Sequence, residues 1–185
     1  MLELNLPNKL TLLRIFLIPL LLVFLITPSM ISCIIAAIIF GLAAATDWLD
    51  GHLARVTNQV TLLGKLLDPV ADKLLVMAAL LPLVELDRVA AWIVVIIIGR
   101  EFAVSGLRII ASAYGVNIAA GDLGKYKMAA EIVAILFLIL DFNIIFHYLG
   151  QVSIWVAMFL SVISGVGYFF DFWNNLDPKK IEEMD

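Results

Sequence analysis

The chain has 185 residues, 63% of them hydrophobic and 15% charged, with a formal net charge of −4. A soluble domain is usually about half apolar and a quarter charged, so this composition excludes an ordinary water-soluble fold and places the chain in lipid. The one cysteine, Cys33, sits in an apolar run and cannot form an intrachain disulfide, so it reads as small helix-packing bulk.

Lys9 and Arg14 precede an apolar stretch from Ile15 to Ile26, which has the look of a secretory leader. A second apolar run follows almost at once, and Thr27-Pro28-Ser29 is a poor cleavage site, so an uncleaved first helix is expected. A spanning helix needs about twenty mostly apolar residues, at about 1.5 Å rise each across about 30 Å of hydrocarbon. Six runs meet that length: Leu10–Thr27, Ser29–Leu49, Leu66–Leu86, Arg88–Tyr114, Lys125–Phe142 and Leu149–Trp173. The predicted fold is therefore all-α and polytopic, a single domain over residues 1–185. Leu2, Leu6 and Leu10 recur every four residues, which predicts a short interfacial segment before Pro7.

Lysine and arginine placement orients the spans. Lys9, Arg14, Arg55, Lys65, Lys73, Lys125, Lys127, Lys179 and Lys180 fall on one side, and Arg88 on the other. Both termini are thus expected in the cytoplasm of a bacterial-type inner membrane.

The second and third spans carry acids where lipid disfavours them. Asp47 and Asp50 are three residues apart at the end of span two. Gly64, Asp68 and Asp72 follow at steps of four at the start of span three. Each pair shares a helix face, and a short connection makes the helices antiparallel, so the pairs lie at one depth near the cytoplasmic surface. An aspartate at a helix centre costs about 2.5–3.5 kcal/mol on insertion scales, less toward the interface. Arg55 and Lys73 offset part of that charge. Divalent metal does so more fully, and all-oxygen ligands favour Mg²⁺ or Mn²⁺, with four carboxylates suiting a pair of ions that clamps a phosphate ester. Helix capping alone would not need four acids at two helical spacings. Gly51, Ala54 and Gly64 permit close approach of backbone or ligand. No serine-histidine-acid or cysteine-histidine set presents a rival, and His52 and His147 read as incidental.

Span four holds Gly99-Arg100-Glu101-Phe102-Ala103-Val104-Ser105-Gly106-Leu107-Arg108. Arg100 and Arg108 are about 80° apart around a helix, so both can point inward. Arginine's planar fork suits phosphate, and Lys125 and Lys127 add charge from span five. The plainer alternative is that Arg108 and the lysines snorkel to the surface.

The pattern D-x2-D-G-x2-A-R-x8-G-x3-D-x3-D is complete at Asp47, Asp50, Gly51, Ala54, Arg55, Gly64, Asp68 and Asp72. It resembles the signature of the CDP-alcohol phosphatidyltransferases, membrane enzymes of six transmembrane helices. The resemblance implies that Asp47, Asp50, Asp68 and Asp72 bind two divalent cations and that Asp72 is also the base for the acceptor alcohol. It further implies that Gly51, Ala54, Arg55 and Gly64 line the CDP site. Asn8, Thr11 and Arg14 are similar to the family's P-N-x-L-T-x2-R segment, which borders the nucleotide. The segment G-R-E-F-x2-S-G-L-R and the later G-K-Y-K resemble members whose acceptor is sn-glycerol 3-phosphate, with Met128 and Glu131 departing from their usual threonine and glutamine. Arg100, Arg108, Lys125 and Lys127 are then the acceptor-phosphate residues.

The implied partners are CDP-diacylglycerol, sn-glycerol 3-phosphate and membrane lipids, with a second copy of the chain as a further candidate and no nucleic acid. Two rivals stand beside this. One is a same-family enzyme for another acceptor, such as inositol phosphate or serine; a neutral or zwitterionic acceptor has less use for four cations. A cation transporter would show a repeat and midplane acids, which this sequence lacks.

Overall fold

The computed structural model describes residues 6–57, 62–114 and 122–175, with side chains defined outside 6–8, 47–57, 62–66, 113 and 122. Among the described residues there are six helices and no strand. They are α1 (Leu6–Ile26), α2 (Met30–Thr57), α3 (Leu62–Glu85), α4 (Ala91–Ala113), α5 (Asp122–Ile139) and α6 (Ile144–Asn175). A helix satisfies every interior backbone group within itself, which is what apolar sequences of this length require in lipid.

The helices depart from the apolar runs at their ends. α1 begins at Leu6, so Leu6 and Leu10 belong to the first helix itself and not to a separate interfacial turn; Leu2 lies outside the described residues. Pro7 fits there because the first turn needs no N–H from it. α2 continues past Leu49 to Thr57, and α3 begins at Leu62, ahead of Leu66. Asp47, Asp50, Asp68 and Asp72 are therefore interior helix residues, not terminal ones. An apolar run stops at the first charge, whereas backbone hydrogen bonding carries on into the polar zone.

Short turns with local caps join the helices at one end of the bundle. Ser29 Oγ accepts from Ser32 N at 3.1 Å at the start of α2. Asn143 Oδ1 accepts from Ile145 N and Phe146 N, both at 3.0 Å, at the start of α6. Asp87 takes the left-handed conformation (φ 56°) that turns the chain out of α3. Arg88, the one cation expected on the outer side, is a helix cap: its guanidinium donates to Leu138 O at 3.0 Å and Ile139 O at 2.8 Å, the last carbonyls of α5. Buried Cys33 lies 3.8 Å from the same group.

α1 packs on α2 and α3, α5 on α6 and α2, and α4 on α6. The core sits in the half of the bundle nearest these turns, around Leu25, Phe40, Leu80, Leu83, Ile97, Ile135, Ile139 and Ile154, all buried. The outer surface is apolar too: Phe16 is 74% and Ile109 72% exposed. Apolar side chains facing outward along the helices are what a lipid-embedded bundle presents. By length and composition Lys9–Ile26 and Ile144–Asn175 are able to cross a membrane, and Met30–Thr46 is a shorter apolar stretch. α3, α4 and α5 carry the charged residues that line the cavity described below.

Candidate active site

In the half of the bundle away from the core, a cavity of about 400 Å³ lies between α3, α4, α5 and α6. Asp68 and Asp72 line it from α3, Arg100 and Arg108 from α4, and Lys125 and Lys127 from α5. The two groups that the sequence placed in separate roles thus share one space.

The acidic wall is held by α1. Thr11 Oγ1 donates to Asp68 Oδ1, and Arg14 Nη1 pairs with Asp72 Oδ1. Residues 11 and 14 meet 68 and 72 in the same chain order, so α1 and α3 run parallel, with one turn of each in register. Both α1 side chains are buried, Arg14 completely. A buried guanidinium needs a carboxylate partner, and Asp72 provides it. Arg14 is therefore a counter-ion of the acidic site, a role the sequence reading gave to Arg55 and Lys73. Lys73 instead sits 5.8 Å from the centre of the Phe102 ring. The side chains of Asp47 and Asp50 in α2 lie outside the described residues, as do those of Asn8, Ala54 and Arg55. Gly51 and Gly64 fall in the same segments of α2 and α3. Among the described residues no group of three or more metal-ligating side chains assembles, because only Asp68 and Asp72 of the four are among them. Those two, one turn apart on a cavity-lining face, are hard oxygen donors of the kind that Mg²⁺ or Mn²⁺ takes.

The basic wall differs in part from expectation. Arg100 is largely committed: Nε donates to Ser161 O at 3.1 Å, Nη2 to Ser164 Oγ at 2.8 Å and Nη1 to Glu101 Oε1 at 2.6 Å. Gly165 lets it lie across α6, since a Cβ there would come within 2.9 Å of Arg100 Cγ. Lys127 is buried, not solvated as a residue at a helix start would be. Its ammonium lies 2.6 Å from Glu101 Oε1 and also pairs with Glu131 Oε2. Among the described residues Arg108 has no carboxylate partner. It donates to Tyr168 OH and stands 4.8 Å from that ring's centre, a cation–π contact that aims the guanidinium along the cavity wall.

Glu101, Glu131, Tyr168, Ser161 and Ser164 were not assigned a role from the sequence. Glu101 and Glu131 carried a signal as intramembrane acids. Ser161, Ser164 and Gly165 form a small-residue face that permits close helix approach. Tyr168 carried none, being one aromatic among several in an apolar helix. Carboxylates that can bind hard cations, opposite cations that can grip a phosphate, make an arrangement able to bring an alcohol to a phosphate ester.

Sequence comparison agrees with that chemistry. The family model described as CDP-alcohol phosphatidyltransferase matches residues 4–163. A protein of Bacillus subtilis (strain 168) is 43% identical over 187 residues, covering 93% of this chain and 97% of its own. Relatives from Rickettsia bellii and Salmonella choleraesuis are each 38% identical, over 169 and 172 residues, covering 89% and 90% of this chain and 93% of their own. All three carry the name CDP-diacylglycerol–glycerol-3-phosphate 3-phosphatidyltransferase. Matched over most of its length by the family and by relatives this similar, the chain belongs to the CDP-alcohol phosphatidyltransferases.

Proposed function

We propose that the chain transfers the phosphatidyl group from CDP-diacylglycerol to sn-glycerol 3-phosphate, giving phosphatidylglycerophosphate and CMP in phospholipid biosynthesis. The observation that carries this is the shared cavity lined by Asp68 and Asp72 together with Arg100, Arg108, Lys125 and Lys127. The relatives named for that reaction support it over nearly the whole chain.

Asp72 takes the proton of the acceptor hydroxyl as its oxygen attacks the phosphorus that carries diacylglycerol. The new P–O bond forms while the bond to the bridging pyrophosphate oxygen breaks, and CMP leaves with that oxygen. Arg14 holds the Asp72 carboxylate in place, and Thr11 does the same for Asp68. The family works with divalent metal ions, and Asp47, Asp50, Asp68 and Asp72 would hold two of them, Mg²⁺ or Mn²⁺. When bound, such ions neutralise charge on the phosphoryl oxygens. Asn8, Thr11, Gly51, Ala54, Arg55 and Gly64 border the CDP group. Arg108 and Lys125 grip the acceptor's phosphate, while Arg100 and Lys127, locked in ion pairs, shape the wall behind it.

This division makes a kinetic prediction. Arg108→Gln removes a charge-assisted hydrogen bond worth about 1.5–3 kcal/mol, so kcat/KM for glycerol 3-phosphate falls about ten- to over a hundredfold with little change for CDP-diacylglycerol. Gly165→Ala pushes Arg100 off α6 and lowers acceptor kcat/KM by about tenfold, whereas Gly167→Ala, where a Cβ meets nothing within 4 Å, leaves it unchanged. Loss of CDP-diacylglycerol affinity with normal acceptor kinetics in Arg108→Gln would show the pockets assigned the wrong way round.

All six helices span a bacterial inner membrane as one domain over residues 1–185, with both termini and the catalytic cavity on the cytoplasmic side. A reporter after Asp185 and another near Asn58 should both be cytoplasmic. A tag between Leu86 and Asp87 should react with impermeant reagent from outside. A C-terminal reporter found outside would mean an odd number of spans.

A further inference from the structure

The cavity carries charged side chains toward both of its ends, among apolar ones. Arg108 and Lys125 lie toward the end where α4 gives way to α5. Glu101 and Glu131 lie seven and six residues further in, about 10 Å and 9 Å along the helix axes. The deeper end is charge-compensated within itself. Glu101 meets Arg100 and Lys127, and Glu131 meets Lys127.

One atom in that network is left over. Glu131 is 3% exposed and lines the cavity, and its Oε2 is fixed by Lys127, yet its Oε1 has no hydrogen-bond partner among the described residues. A buried carboxylate oxygen without a donor is unfavourable, and a donor supplied from the cavity removes that penalty. A phosphate, itself an acceptor and negatively charged, is repelled there. A neutral hydroxyl is suited to it. The two ends therefore sort one molecule: an anionic group at Arg108 and Lys125, and an alcohol group at Glu131.

We infer that Glu131 is a specificity-determining residue whose Oε1 accepts a hydrogen bond from the acceptor's non-reacting secondary hydroxyl, selecting a polyol phosphate over a phosphate ester with a single alcohol. This assignment rests on the acceptor proposed above. A site built to bond a hydroxyl discriminates against the analogue lacking it, because its buried acceptor is then stranded.

The test compares sn-glycerol 3-phosphate with 3-hydroxypropyl phosphate, which lacks only the secondary hydroxyl, at fixed CDP-diacylglycerol, using the full chain in detergent. Wild type should favour glycerol 3-phosphate in kcat/KM by about ten- to a hundredfold. Glu131→Ala should lose that preference by falling on glycerol 3-phosphate alone, bringing the ratio near one. Glu131→Gln, which keeps the shape but offers only a neutral acceptor, should give an intermediate ratio and carries the test if the alanine protein does not fold. An unchanged ratio in either variant, with both substrates falling together, would mean that Glu131 only holds Lys127 and would overturn the assignment. A wild type indifferent to the secondary hydroxyl would overturn it as well. A wild type that uses neither acceptor but transfers to another alcohol would defeat the acceptor proposal first, and this assignment with it.

Discussion

Alanine at Asp47, Asp50 or Asp68 should reduce CMP release to below about one thousandth of wild type, while the protein stays folded and membrane-inserted. Removing a single group that stabilises developing charge in a water-poor site typically costs 10²- to 10³-fold, and a lost metal ligand removes more than one such contact. Stability should suffer far less. Deleting one carboxylate of the proposed four-acid site would relieve repulsion, and Asp68→Ala gives up one hydrogen bond from Thr11, worth about 0.5–1.5 kcal/mol. The same dependence should appear without mutation. EDTA should stop turnover, and Mg²⁺ or Mn²⁺ should restore it. Full activity in chelator, or an Asp50→Ala enzyme near wild-type rate, would remove the metal from the mechanism.

Asp72→Asn should be nearly as damaging for a different reason. The amide keeps the size of the side chain and an oxygen toward Arg14 but accepts no proton, and loss of a positioned general base costs about 10²- to 10⁴-fold in turnover. CDP-diacylglycerol binding should change much less than kcat. The substitution also weakens the partner of a fully buried arginine, so a lowered Tm should accompany it. That drop should be smaller in a double variant with Arg14→Gln than the sum of the two single drops, as for any directly coupled pair. Near wild-type turnover in Asp72→Asn would require another base.

The helices and the acidic pattern were legible because each depends on local spacing. Hydropathy located each of the described helices, and the interval between Asp68 and Asp72 put both on the face that lines the cavity without knowledge of the packing. The partners were not legible, since they come from distant positions. Arg14 was visibly an arginine inside an apolar span, but nothing local pairs it with Asp72 across 58 residues. Lys127 looked like an exposed lysine opening a helix. It is buried because Glu101 arrives from α4, 26 residues away, to share it with Glu131. Arg88 counted as a topological charge, yet its guanidinium closes the end of α5. Charge pattern pointed to Asp68, Asp72, Arg100, Arg108, Lys125 and Lys127, which all line the cavity, but it missed Glu101, Glu131 and Tyr168 beside them and could not tell which cations are committed to ion pairs.

Purified protein supplied with CDP-diacylglycerol, Mg²⁺ and labelled glycerol 3-phosphate, serine or inositol phosphate tests the proposed reaction most directly. The expected result is labelled phosphatidylglycerophosphate from glycerol 3-phosphate, with one CMP released per product and the other acceptors at least tenfold slower in kcat/KM. Faster turnover of serine or inositol phosphate would contradict the acceptor and leave the family intact. No CMP release with any acceptor would contradict phosphatidyl transfer itself.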